Sequence, residues 1–148
     1  MNTLSLSIEQ YCQYQERCHQ QVRDKLYSLG ANTEEVECLI ATLIEKDLLN
    51  EQRFANAYTR GHFINKKWGR IKIKYALKQL KVSDFCISKS MKEIKDQDYE
   101  NVLKGLIEKK NKDYKATAIA WQRKAKIQQY LLQKGYENEL IKEQLLFI

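Results

Sequence analysis

Residues 70–91 read Arg-Ile-Lys-Ile-Lys-Tyr-Ala-Leu-Lys-Gln-Leu-Lys-Val-Ser-Asp-Phe-Cys-Ile-Ser-Lys-Ser-Met. Ile73 and Leu77 stand one helical turn apart, with Leu80 a turn further on, and Ile87 and Met91 repeat the spacing. Each set lies on one face of a helix. Between them Lys81-Val82 interrupts the pattern, and Ser83-Asp84 offers a cap and a first-turn acid for a new helix. The stretch therefore predicts two short amphipathic helices joined by a tight turn. Working outward, the same four positions recur as Val22, Leu26, Val36 and Ile40, 51 residues earlier, and as Ile127, Leu131, Ile141 and Leu145, 54 residues later. The interruptions fall at Gly30-Ala31, Lys81-Val82 and Gly135-Tyr136. Four apolar positions and a shared turn, three times over, mark an internal repeat.

A further helix precedes each pair. In the first repeat it is centred on Ile8, Tyr11 and Tyr14, and in the second it carries Phe54, Ala57 and Tyr58 after an Asn50 cap and ends at Trp68-Gly69. In the third, Val102 and Leu106 lead to a charged turn at Lys109–Asp113, then to a long helix from about Tyr114 with Ile119, Ile127 and Leu131 inward. Ile44 extends the buried face of Val36, Ile40 and Leu43, and Ile94 that of Ile87 and Met91. The predicted class is all-α: three tandem three-helix repeats over 1–49, 50–97 and 98–148, each ending in a helix-turn-helix-like pair. A unit this small buries too little apolar surface alone, so neighbours stack, and the expected shape is elongated and curved. With no proline and five glycines in 148 residues, little else breaks helices.

Composition narrows the function. No apolar run reaches the length of a membrane span, and the N-terminus lacks a basic-plus-apolar signal pattern, so the expected location is cytoplasmic. Cys12, Cys18, Cys38 and Cys86 include no C-x-x-C pair, and positions 12 and 18 of one helix would point about 240° apart, so neither a metal nor a disulfide framework is expected. Two histidines, no nucleophile motif and no glycine-rich phosphate loop predict neither an enzyme nor a cofactor. Charge is segregated: residues 1–50 carry net −4, residues 51–99 net +7 and residues 100–148 net +4. Between Arg60 and Lys81 eight basic side chains stand with no acidic one: Arg60, Lys66, Lys67, Arg70, Lys72, Lys74, Lys78 and Lys81. A helix apolar on one side and cationic on the other calls for an anionic partner, most often nucleic acid, with a solvated lysine face as the plainer explanation. These eight are the candidate binding residues. Trp68, which either packs between repeats or stacks on a base, is a secondary candidate, together with Arg123, Lys124 and Lys126. Arg53 either pairs with Asp47 or Glu51 to fix the repeat junction, the favoured role, or contacts the partner.

At Leu48-Leu49-Asn50-Glu51-Gln52-Arg53-Phe54-Ala55, with Trp68-Gly69-Arg70-Ile71-Lys72 and Leu77, the chain resembles the RecX family of RecA regulators. Leu131-Leu132-Gln133-Lys134-Gly135-Tyr136 resembles that family's closing element. Two departures stand out: Lys81-Val82 where the family usually has glycine before an aliphatic residue, and a glycine-rich turn reduced to Trp68-Gly69. The resemblance implies a protein that lies in the groove of the RecA–DNA filament. There it would block filament growth and lower ATP hydrolysis, strand exchange and coprotease activity. It implies as partners the recombinase filament and single- or double-stranded DNA bound without sequence preference, and the repeat plan favours a monomer.

Two other readings fit the residues. One is a direct DNA reader using its helix-turn-helix-like pairs; Glu34, Glu35, Glu37, Asp84, Glu137 and Glu139 oppose it, because they would meet phosphate at the start of each second helix. The other is a helical protein-interaction scaffold whose charge is incidental. Salt dependence tests the binding set directly. Six engaged phosphates give a slope of log affinity against log salt of about −4 for single strands, whereas a slope near zero rejects the set.

Overall fold

A computed structural model describes residues 2–116 and 118–148. Nine α-helices and a 3-10 turn follow one another among them, with no strand. They are α1 (Asn2–Tyr14), α2 (His19–Ser28), α3 (Thr33–Glu45), α4 (Glu51–Lys66), α5 (Arg70–Gln79), α6 (Asp84–Ser90), α7 (Asp96–Lys115), α8 (Ala120–Lys134) and α9 (Asn138–Leu145), with the 3-10 turn at Met91–Glu93. The fold is all-α and its helices repeat in threes.

The repeat extends to individual hydrogen bonds. After α2, α5 and α8 the chain enters the left-handed region at Gly30 (φ 92°), Lys81 (φ 62°) and Gly135 (φ 97°). The next N–H then reaches back five residues: Ala31 to Leu26 (3.0 Å), Val82 to Leu77 (3.1 Å) and Tyr136 to Leu131 (3.1 Å). This is the Schellman closure of a helix, with its apolar contact made here by buried pairs at the same positions. The following helices start as their sequences dictate. Asn32 and Glu35 form a reciprocal capping box, the Ser83 hydroxyl accepts from the N–H of Cys86, and for α4 Asn50 accepts from Arg53. Eleven of the twelve repeat positions are buried. Met91, the twelfth, is half-buried because α6 gives way to the 3-10 turn after Ser90.

Packing divides the chain into two compact units. One comprises the residues up to Tyr58 with Leu77–Ser90, the other Thr59–Ala76 with Met91–Ile148. In the first, Ile8, Val22, Leu26, Val36, Ile40, Leu43 and Leu49 form the centre of the core. Arg53 sits at the α3–α4 junction, bonded to Asp47 and, from α1's exit, to Glu16 rather than to Glu51. Burial pushes the Cys12 thiol up to about 11, and raises that of Cys18 as well, so both act as small apolar side chains. In the second unit the core is aromatic: Tyr99 lies between Phe63 (5.9 Å between ring centres) and Tyr136 (5.1 Å, stacked).

Three expectations are corrected. Lys109–Asp113 is not a turn: α7 runs through it to Lys115, because Leu103, Ile107, Lys110 and Tyr114 keep the helical period and a lysine-rich run is no helix breaker. α7 ends at Lys115 with Ala116 as its cap, and Ile119 is the exposed cap position of α8 instead of an inward residue. Ile44 is also exposed, Leu39 taking its place on the buried face of α3.

The turns supply a paired stability test. Lysine at φ 62° carries a Cβ clash that glycine lacks, so Lys81→Gly is expected to stabilise by about 1 kcal/mol. A Cβ at Gly69 would stand 2.3 Å from the Gly135 carbonyl oxygen, and Gly69→Ala is expected to cost about 3 kcal/mol. Urea denaturation midpoints read both signs.

Candidate nucleic-acid interface

The site is built in the second unit, where α4 ends, α5 begins and α8 ends. After Lys66 the chain turns at Lys67, left-handed at φ 57°. The Gly69 N–H then donates to the carbonyl of Lys134 (2.7 Å) and the Ile71 N–H to that of Gly135 (2.9 Å). The first turn of α5 is thus capped by the last turn of α8, and the two glycine backbones touch where no side chain would fit. Two side chains secure the junction: the Tyr136 hydroxyl donates to the Lys67 carbonyl (2.8 Å) and the Lys134 ammonium to the Lys66 carbonyl (2.8 Å).

This docking gathers positive charge around one indole. Half-buried Trp68 lies against His62 (4.7 Å between ring centres), with the Lys72 ammonium 4.6 Å and the Lys66 ammonium 5.3 Å from its ring. Lys134 is held below the usual lysine range, first by burial and then by repulsion from Lys72, Lys67, Lys110 and Lys109. Among the described residues none of Lys66, Lys67, Lys72 and Lys134 forms an ion pair. Two ammonium groups on the indole, with Lys134 bonded at the same junction, form a surface able to take phosphate oxygens and a flat ring together.

The remaining candidates are distributed differently. Arg70 serves the interior of the same unit: its guanidinium lies 3.9 Å from the Tyr99 ring centre and pairs with Glu137 (3.0 Å) and Asp96 (2.9 Å). Tyr99 donates to Glu137 and accepts from the Arg70 N–H, and burial above all raises its phenol far beyond neutral pH. Arg60 is ion-paired with Glu93. Lys74 is exposed on α5 of this unit, whereas Lys78, 3.8 Å from Asp84, and Lys81 belong to the other. Arg123 ties the α7–α8 connection through Asn111 and the Ala118 carbonyl. Lys124 is half-buried, and Lys126 is exposed beside Tyr114. Sequence reasoning passed over Lys134, which lies 68 residues from Lys66, and the tyrosines Tyr114 and Tyr130. The available signal was lysine and tyrosine four apart at 110/114 and 130/134, on one helix face.

The Arg70 network gives a test that separates buried from exposed charge. Glu137 is largely covered and holds two partners, so Glu137→Gln is expected to cost about 2 kcal/mol in denaturant unfolding. Asp96, 99% exposed, is expected to tolerate Asp96→Asn with no measurable change.

Comparison with known proteins follows the same segments. Residues 50–91 match the sequence profile described as "RecX, second three-helix domain" and residues 97–145 that of "RecX, third three-helix domain". A regulatory protein RecX of Bacillus cereus is 32% identical over 132 residues, covering 88% of this chain and 48% of that one. A regulatory protein RecX of Halalkalibacterium halodurans is 28% identical over 142 residues, covering 95% and 52%. The chain thus spans about half the length of the curated relatives it matches. Among solved structures, that of RecX from Lactobacillus salivarius superposes with a TM-score of 0.88 at 25% identity, covering 99% of this chain and 94% of that chain. A second, a regulatory protein RecX, gives 0.85 at 21% identity, covering 95% and 69%, a likeness of fold.

Proposed function

The chain belongs to the RecX family, and on that premise we propose that it restrains a RecA-type recombinase by lying along the groove of the RecA–DNA filament. Bound there as a monomer in the cytoplasm, with repeats 1–49, 50–97 and 98–148 as successive modules, it blocks filament extension. ATP hydrolysis, strand exchange and coprotease activity fall in consequence. It works by binding and not by turnover. The observation that supports this most directly is the cationic surface around Trp68. Lys66, Lys67 and Lys72 lie inside the residues matched to the second RecX domain and Lys134 inside those matched to the third. An unpaired cluster of ammonium groups is suited to the phosphates of a nucleoprotein filament, where neutralising each contact releases counterions.

ATP hydrolysis by RecA on single-stranded DNA tests the reading. Inhibition is expected at well below one protein per recombinase monomer. Inhibition only at saturating coverage of the DNA would mark a simple competitor for the strand, and no effect would mark a scaffold. Lys67→Glu combined with Lys72→Glu is expected to weaken inhibition at least tenfold, each contact to phosphate being worth of order 1 kcal/mol, while the thermal midpoint stays close to that of the parent.

A further inference from the structure

The cluster at Trp68 continues across α7 and α8 as a ladder of alternating ammonium groups and rings. The Lys134 ammonium, bonded to the Lys66 carbonyl, is 5.8 Å from the Tyr130 ring centre. On the same ring the Lys110 ammonium stands at 4.3 Å, and it lies 5.8 Å from Tyr114. Lys126 lies 5.5 Å from Tyr114. Lysine–tyrosine pairs four apart on one helix are ordinary surface dressing. Here two of the contacts, Lys110 with Tyr130 and Lys126 with Tyr114, cross between α7 and α8, so the side chains of both helices share one face. Neither Lys110 nor Lys126 forms an ion pair among the described residues. Tyr114 and Tyr130 are half-buried.

We propose that this ladder is a track for single-stranded nucleic acid, in which bases stack on Trp68, Tyr130 and Tyr114 while the lysines between them take the phosphates. It deepens the reading above, on which it rests, by naming the ligand of the same cationic surface. Without nucleic acid the ammonium groups rest on the rings. A strand draws them onto its phosphates and puts bases in their place. The exchange runs forward on magnitudes: an exposed cation–ring contact is worth about two- to fivefold in an equilibrium constant, and a stacked base about five- to a hundredfold. A duplex gains only half of this. Its phosphates reach the lysines, but its base faces are already stacked on one another and cannot reach the rings. The repulsion that Lys134 feels from Lys72, Lys67, Lys110 and Lys109 is relieved when phosphate enters the cluster.

Fluorescence anisotropy decides it, using the full chain without recombinase, a labelled oligothymidylate and a labelled hairpin duplex of equal charge. Tyr114→Leu combined with Tyr130→Leu is expected to lower single-strand affinity at least tenfold, leaving the duplex affinity and the salt slope as they were. Tyr114→Phe with Tyr130→Phe keeps both rings and is expected to bind as the parent does, which guards against a loss caused by misfolding. Lys110→Gln with Lys126→Gln is expected to reduce the salt slope by about 1.4. Equal losses for strand and duplex in the leucine variant, or no loss in either, overturn the track. So does a phenylalanine variant as weak as the leucine one. These titrations contain no RecA, so a parent protein that fails to inhibit ATP hydrolysis counts against the filament reading alone.

Discussion

A single backbone hydrogen bond, from an N–H to the carbonyl five residues before it, closes α2, α5 and α8, and the rest of the architecture depends on it. The bond forms only if the residue between enters the left-handed region, and it then fixes the direction in which the next helix departs. Because the apolar pair that accompanies it is buried each time, the turn and the core specify one another. Leu26 with Ala31, Leu77 with Val82 and Leu131 with Tyr136 are the same joint made with different side chains. Glycine makes the backbone conformation easy in two of the joints. In the third, Lys81 adopts it against its own Cβ, which the surrounding packing must outweigh.

The cationic surface is a product of that joint. Gly135 turns the chain so that the carbonyls at the end of α8 meet the N–H groups at the start of α5, and the meeting brings Lys134 to Lys66 and Tyr136 to Lys67. It also consumes the amide groups at the helix start that would otherwise attract an anion. Positive charge at the surface is therefore carried by flexible side chains resting on aromatic rings. This arrangement suits a ligand of variable sequence and regular charge better than one fixed anion.

Much of the fold was legible because its repeat is written in apolar spacing, and spacing is a local property. Ile73, Leu77, Ile87 and their counterparts could be matched by counting, and the caps Asn50 and Ser83 by residue type. What counting could not see was distance through space. Arg60 and Arg70 look like their lysine neighbours along the chain, yet Glu93 and Glu137, 33 and 67 residues away, take them up. Lys134 looked unremarkable beside the long basic run and yet stands within it. The charged run at Lys109–Asp113 resembled a turn because polarity and helix breaking often coincide, while Tyr114 carried the helical period across it. Of the candidate interface, the run of positive residues at the α4–α5 turn was visible, with Trp68 and Lys126 as secondary candidates; the rings of Tyr114 and Tyr130 and the place of Lys134 were not.

The second unit is discontinuous: Thr59–Ala76 belongs with Met91–Ile148, and the segment that interrupts them packs elsewhere. During synthesis on the ribosome, the stretch around Trp68 and Gly69 emerges long before the carbonyls that receive it. Those N–H groups stay bonded to water until residue 135 has left the exit tunnel, so the joint closes late, after the chain up to α3 has had time to fold. A nascent chain arrested before α8 would expose Trp68 and the unreceived start of α5.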